Sequence, residues 1–198
     1  MARPDHTVQD LFNVAAGPID PAEAFWIVGR DSGGTIRYLQ AMRLMKSDGL
    51  TLAEFMARQL NDFLPNPQSV EMSRVRYRPG PNAHSMKGRM VYSGEFWIDG
   101  SNPELRGSGL SNLLGRNSYL LAMRAFSADY VFAFMLQRQA ERGAFFRAAF
   151  HNIEPYAMRW CWRGSDEPVD GSMLYMSRAD MEFALDLPVT SAPVRRAA

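Results

Sequence analysis

The chain has 198 residues, with 22 Lys and Arg against 21 Asp and Glu and a formal net charge of +1. This balance gives no electrostatic reason to expect nucleic acid or a membrane surface as partner, and the length suits one domain with a sizeable core. A single cysteine, Cys161, excludes an internal disulfide framework and fits a reducing, cytoplasmic compartment. No charge-free run is long enough to span a bilayer, and the N-terminus lacks the apolar stretch of a signal peptide.

In chain order, residues 1–21 hold a short apolar cluster at Val8, Leu11, Phe12 and Val14. Residues 25–29, a turn at 31–34 and residues 35–45 read as a hairpin, with Ile36, Tyr38, Met42 and Leu44 on alternating positions. Thr51 and Glu54 are spaced as a capping box, opening a helix that carries Leu52, Phe55, Met56 and Phe63. A strand is expected at 69–78 and a Pro/Gly/Asn loop at 79–87. Residues 90–99 form a strand that empties through a short loop into Glu104-Leu-Arg-Gly-Ser-Gly-Leu-Ser111. From Leu110, the residues Leu113, Leu114 and Leu121 recur at helical spacing, predicting a helix that ends near Phe126. Residues 129–135 read as a strand buried on both faces. A helix over 137–149 follows, then strands at 157–163 and 171–177 joined by a polar turn. Residues 188–198 read as a flexible tail, which leaves 1–187 as a single domain. No internal repeat is present.

The strand, glycine turn and helix around Gly107 and Gly109 carry the most chemistry. Without Cβ atoms, both glycines let the backbone turn sharply and approach a ligand closely. The N–H groups opening the helix lack internal partners and, with the helix dipole, form an anion site. Arg106 adds a phosphate-matching fork. The arrangement suits a pyrophosphate. The chain has no Gly-Lys-Ser/Thr, so this is no nucleoside-triphosphate loop, and the three-glycine dinucleotide fingerprint is incomplete.

Arg106-Gly107-Ser108-Gly109-Leu110-Ser111 resembles the coenzyme A loop of the GNAT superfamily of N-acetyltransferases, whose pattern is Gln/Arg-x-x-Gly-x-Gly/Ala. Glu104 stands at the first motif position, a departure from the pattern. The order of elements over 89–187, the expected coenzyme-binding core, is that of the family from its fourth strand onward. The resemblance implies an α/β acyl-CoA N-acyltransferase fold, a mixed central sheet flanked by helices, with parallel pairing in its middle and a right-handed crossover. Residues 1–21 leave little room for the strand and two helices that usually open the family's fold.

By the same resemblance, an acyl group moves from acetyl-CoA or another acyl-CoA to the amine of a small molecule, without a metal. The backbone N–H groups of Arg106, Gly107, Ser108, Gly109, Leu110 and Ser111 would hold the pyrophosphate, and a free backbone N–H near Phe96 or Trp97 would bind the thioester carbonyl. Glu95 is the only acid inside the fourth strand and the candidate base, with Tyr92 as competitor, because a one-residue shift of register reverses the face. Phe145 stands where many relatives carry the tyrosine that protonates the thiolate. Arg138 and Arg142 are within chain reach of the coenzyme's phosphates. A homodimer is compatible with this reading. Two alternatives stay open: a catalytically silent acyl-CoA-binding module, and an interaction domain whose glycine loop is only a turn. His6, His84 and His151 form no metal-ligand pattern, and Cys161 reads as a small buried hydrophobe.

Overall fold

The computed structural model describes residues 8–102, 105 and 108–188. The strands are β1 (Ala24–Arg30), β2 (Ile36–Leu44), β3 (Arg76–Tyr77), β4 (Met90–Ile98), β5 (Tyr130–Leu136), β6 (Asn152–Cys161) and β7 (Pro168–Ser177). The helices are α1 (Leu52–Gln59), α2 (Pro81–Ser85), α3 (Leu110–Phe126), α4 (Gln137–Ala140), α5 (Ala144–Arg147) and α6 (Arg178–Asp186). The strands join in one seven-stranded sheet in the order β1-β2-β4-β5-β7-β6-β3. Only β4 and β5, linked across α3, run parallel; every other neighbouring pair is antiparallel. A mixed sheet flanked by helices, with one parallel pair in its middle, is the architecture expected from the sequence.

Two apolar layers sandwich the sheet. On one face Phe12, Phe55, Phe63, Tyr92, Phe132, Met158 and Trp160 pack beneath α1. On the other, Met42, Tyr119, Ala122, Phe126, Val131, Phe150, Leu174 and Met181 pack beneath α3 and α6. The capping box of α1 forms as its spacing predicts: Thr51 Oγ1 accepts from the Glu54 N–H at 3.2 Å, and Glu54 Oε2 accepts from the Thr51 N–H at 2.8 Å.

Helix α3 has the predicted bounds, but the leucines that announce it do not form its buried face. Leu113 is 42% exposed, while Gly115, Ser118, Tyr119, Ala122 and Phe126 are buried. The cause is close packing: a Cβ on Gly115 would lie 2.4 Å from the Ala148 carbonyl oxygen, so only glycine lets α3 approach this chain segment. Arg116, also buried, donates to the carbonyls of Leu185 at 3.0 Å and Leu187 at the end of α6. A guanidinium there satisfies orphan carbonyls and complements the dipole of α6.

Several expectations differ from the structure, beginning with the loop expected over 79–87, which holds the short helix α2, opened by Pro81 in its first turn. The strand expected over 69–78 is reduced to Arg76–Tyr77, because the preceding backbone closes two 3-10 turns on itself, Val70 N–H to the Pro67 carbonyl and Val75 N–H to that of Met72. The helix expected over 137–149 is two single turns, α4 and α5, broken at Gly143, whose φ of 71° takes the chain out of helical geometry. Helix α6 was not expected. Its signal is the Ser177-x-x-Asp180 capping box, in which Ser177 Oγ accepts from the Asp180 N–H at 3.2 Å.

Candidate active site

Strands β4 and β5 pair at Met90–Tyr130, Val91–Val131 and Tyr92–Phe132, and then part. From Ser93 onward the two strands share no ladder pair, and a cleft of about 660 Å³ opens between them. It reaches both faces of the sheet. Phe63, Tyr92 and Trp160 line it on the α1 side, and Ala133, Phe150 and Leu174 on the α3 side.

A bulge in β4 sits at the point of parting. Gly94 lies opposite Ala41 and Trp97 opposite Leu39, so Glu95 and Phe96 together face the single residue Gln40. Glu95 takes a φ of 55°, a left-handed conformation that costs a non-glycine residue about 1 kcal/mol or more. Regular alternation would send Tyr92 and Glu95 to opposite faces. The bulge reverses this. The Gln9 N–H donates to Glu95 Oε1 at 2.9 Å, and the Tyr92 hydroxyl donates to Gln9 Oε1 at 3.2 Å. Both side chains therefore meet the same residue on the α1 face.

The sequence-predicted residues fall as follows. Glu95, Tyr92, Phe96 and Ser111 line the cleft. Trp97, paired with Leu39, is not part of its wall. Ser108, Gly109 and Leu110 form the entry of α3; Glu104, Arg106 and Gly107 lie outside the described residues. Tyr92 is 2% exposed, stacked on Phe12 and edge-on to Phe63, and burial pushes its phenol well above the usual range. It holds its proton at neutral pH.

At the α3 mouth the first turn of the helix opens on Gly109, whose φ is 75°. Ser108 Oγ accepts from the Leu110 N–H at 3.3 Å, and the N–H groups of Asn112 and Leu113 bond the Gly109 carbonyl. The Ser111 amide, at the cleft wall, has no carbonyl of the helix to bond. Arg142 and Arg147, both exposed, line the same cleft, with Arg147 Nη1 donating to the Arg142 carbonyl at 2.8 Å. No carboxylate among the described residues pairs with either. Arg138 is not part of the wall. The left-handed Gly143 carries the turn that brings Arg147 beside Arg142, which helical spacing alone could not reveal.

A buried polar network fixes this geometry from behind. Gln40 Nε2 donates to Ser93 Oγ at 2.8 Å and Ser118 Oγ at 3.2 Å, and its Oε1 accepts from the Tyr38 hydroxyl. Ser118 Oγ in turn donates to the Gly115 carbonyl at 2.6 Å. The network joins β2, the residue of β4 just before its bulge and the middle of α3. Fully paired polar groups in a core rigidify it. Phe145 packs against the α3-side core and is not part of the cleft wall. Among the described residues no three His, Cys, Asp or Glu side chains gather as metal ligands, and no helix is long and apolar enough to cross a membrane.

No family model and no curated protein matches the chain. Among solved structures it is similar to Arabidopsis thaliana NAA60 in complex with acetyl-CoA, at 9% identity over 79% of this chain and 77% of that one, TM-score 0.46. It is also similar to aminoglycoside acetyltransferase AAC(6')-Ib in complex with coenzyme A and kanamycin, at 10% identity over 82% and 71%, TM-score 0.43. A GCN5-related N-acetyltransferase from Kribbella flavida matches at 15% identity over 81% and 70%, TM-score 0.40. At these values the functional reading rests on the geometry of this chain.

Proposed function

We propose that the chain is an acyltransferase that moves an acetyl or other acyl group from a coenzyme A thioester to the amine of a small molecule. The observation that carries this reading is the cleft between the parting parallel strands, with Ser111 of the α3 entry, Arg142 and Arg147 in its wall and Glu95 as the one carboxylate among its described lining residues. The α3 entry, with Ser111, Arg142 and Arg147 around it, suits the pyrophosphate of the coenzyme. The coenzyme's pantetheine arm then runs between the open edges of β4 and β5, where backbone groups have no ladder partner, and brings the thioester to the bulge.

The amine enters from the α1 face. Its nitrogen lone pair attacks the thioester carbonyl carbon while Glu95, directly or through water, takes the nitrogen's proton. The carbonyl oxygen becomes an oxyanion that a β4 backbone N–H near Phe96 can receive. Collapse of the intermediate breaks the carbon–sulfur bond and releases coenzyme A as thiolate. Phe145 carries no hydroxyl that could protonate it, and the low basicity of a thiolate lets it leave unprotonated. The test is thiol release from acetyl-CoA over a panel of amines. Amine-dependent release supports the reading; tight coenzyme binding without release to any amine identifies the silent binding module instead.

A further inference from the structure

Asp99 follows β4 directly and opens the loop that leads to α3. It is 9% exposed. Its Oδ1 accepts from the Ser101 N–H at 2.9 Å and the Ser101 hydroxyl at 2.5 Å, and its Oδ2 accepts from Arg37 Nη1. These bonds hold its carboxyl below the usual value, so the pair with Arg37 stays ionised at neutral pH. Arg37 reaches it from β2, and its Nε donates to Asp31 Oδ2 at 2.8 Å. Asp31 is itself fixed in the β1–β2 turn, where its Oδ1 accepts from the N–H groups of Gly33 at 3.0 Å and Thr35 at 2.9 Å. One guanidinium fork ties the hairpin turn to the first residue of the loop.

From Asp99 the bonds run on to the helix entry. The Asn102 N–H donates to the Asp99 carbonyl at 3.3 Å, and the Leu105 N–H to the Asn102 carbonyl at 3.2 Å. Ser108 Oγ donates to the Leu105 carbonyl at 2.9 Å and accepts from the Leu110 N–H at 3.3 Å. The turns along the loop fix its shape. The ion pair with Arg37 and the bond from the Asp99 N–H to the Arg37 carbonyl at 2.9 Å fix that shape to the sheet.

Resting on the acyl-transfer reading, we infer that Arg37 is a positioning residue for the coenzyme: through Asp99 it holds the loop before α3 in the conformation that receives the pyrophosphate. Arg37 is not part of the cleft wall, so it acts through the loop. A loop ordered before its ligand arrives loses less freedom on binding, and the effect therefore falls on coenzyme affinity.

The experiment titrates two ligands into the full chain by calorimetry: coenzyme A, and dephospho-coenzyme A, which keeps the pyrophosphate and lacks the ribose 3′-phosphate. Arg37→Gln and Asp99→Asn remove the charges while leaving polar side chains in place. Each should raise Kd by about tenfold for both ligands, the worth of a charge-assisted hydrogen bond. The double variant should bind no worse than the weaker single one, because the two residues act through one contact. Arg159→Gln is the control. It breaks an ion pair of the same kind between β6 and β7, where Arg159 Nε lies 2.6 Å from Asp170 Oδ1, and it should leave coenzyme affinity at the parental value whatever its effect on the melting temperature. Parental affinity in either single variant, a loss seen with coenzyme A and absent with dephospho-coenzyme A, additive losses in the double variant, or an equal loss in R159Q overturns the inference. Failure of the parent to bind coenzyme A overturns the acyl-transfer reading itself.

Discussion

Gln9 and Glu95 lie 86 residues apart and are joined by a 2.9 Å hydrogen bond from the backbone N–H of one to Oε1 of the other. The bond holds the carboxylate of a left-handed bulge residue on the α1 face of the cleft. Glu95→Gln keeps the side-chain shape and removes its basicity, so turnover should fall by about two to four decades with coenzyme affinity nearly unchanged. Gln9→Pro removes the N–H and should lower kcat by about ten- to a hundredfold through misplacement of the base. Gln9→Ala, which keeps the N–H, should stay near the parental rate. Steady-state kinetics beside calorimetric coenzyme binding separate these outcomes, and a parental rate in E95Q would remove Glu95 from the chemistry.

Gly109 opens α3 at a φ of 75°. Gly109→Val places a β-branched side chain in the left-handed region, at a cost of about 1–3 kcal/mol, and crowds the backbone approach to phosphate. Thermal melting should shift down and the Kd for coenzyme A should rise. Gly109→Asn, which tolerates this conformation better, should lie between valine and the parent in both. Unchanged coenzyme binding in G109V would make the loop a turn and nothing more.

Arg142 and Arg147 have no carboxylate partner among the described residues and line the same cleft as Ser111 of the α3 entry. Arg142→Ala and Arg147→Ala should each weaken coenzyme A binding by about tenfold while leaving the melting temperature nearly unchanged, since exposed charges contribute little to stability. The loss should shrink as salt is raised. Isothermal titration at two ionic strengths checks both statements.

Five phenols, those of Tyr38, Tyr77, Tyr92, Tyr119 and Tyr175, are pushed by burial above the ordinary value of 10.0. A folded-state value raised above the unfolded one contributes stability that is full below the unfolded value and is lost as pH rises towards the folded one. The urea midpoint should therefore be insensitive to these groups up to about pH 9 and fall steeply above about pH 10. Tyr92→Phe should reduce that slope. A midpoint that stays level through the phenol range would contradict the burial of these groups.

The stretch from β4 through α3 was legible because it is built from local signals. The β4 run, the glycine turn and the α3 periodicity each declare themselves over a few residues, and α3 begins and ends at the expected Leu110 and Phe126. The face of Glu95 was not legible, because alternation assumes an unbroken strand and the bulge opposite Gln40 exists only through pairing with β2. Arg147 was missed for a related reason. Its place beside Arg142 depends on the left-handed Gly143, which divides a stretch that otherwise looks helical. The N-terminal segment reads as a bare apolar cluster, yet Phe12 stacks on Tyr92 and Gln9 closes on Glu95, both long-range contacts.

The most direct test of the central claim follows acetyl-CoA and the amines of a panel in one reaction format, with free thiol and N-acetylated product measured together. The account predicts that thiol and product appear in equal amounts, that both depend on the amine, and that both collapse in Glu95→Gln while the variant still binds coenzyme A. No binding of acetyl-CoA at millimolar concentration, by calorimetry or thermal shift, would contradict it.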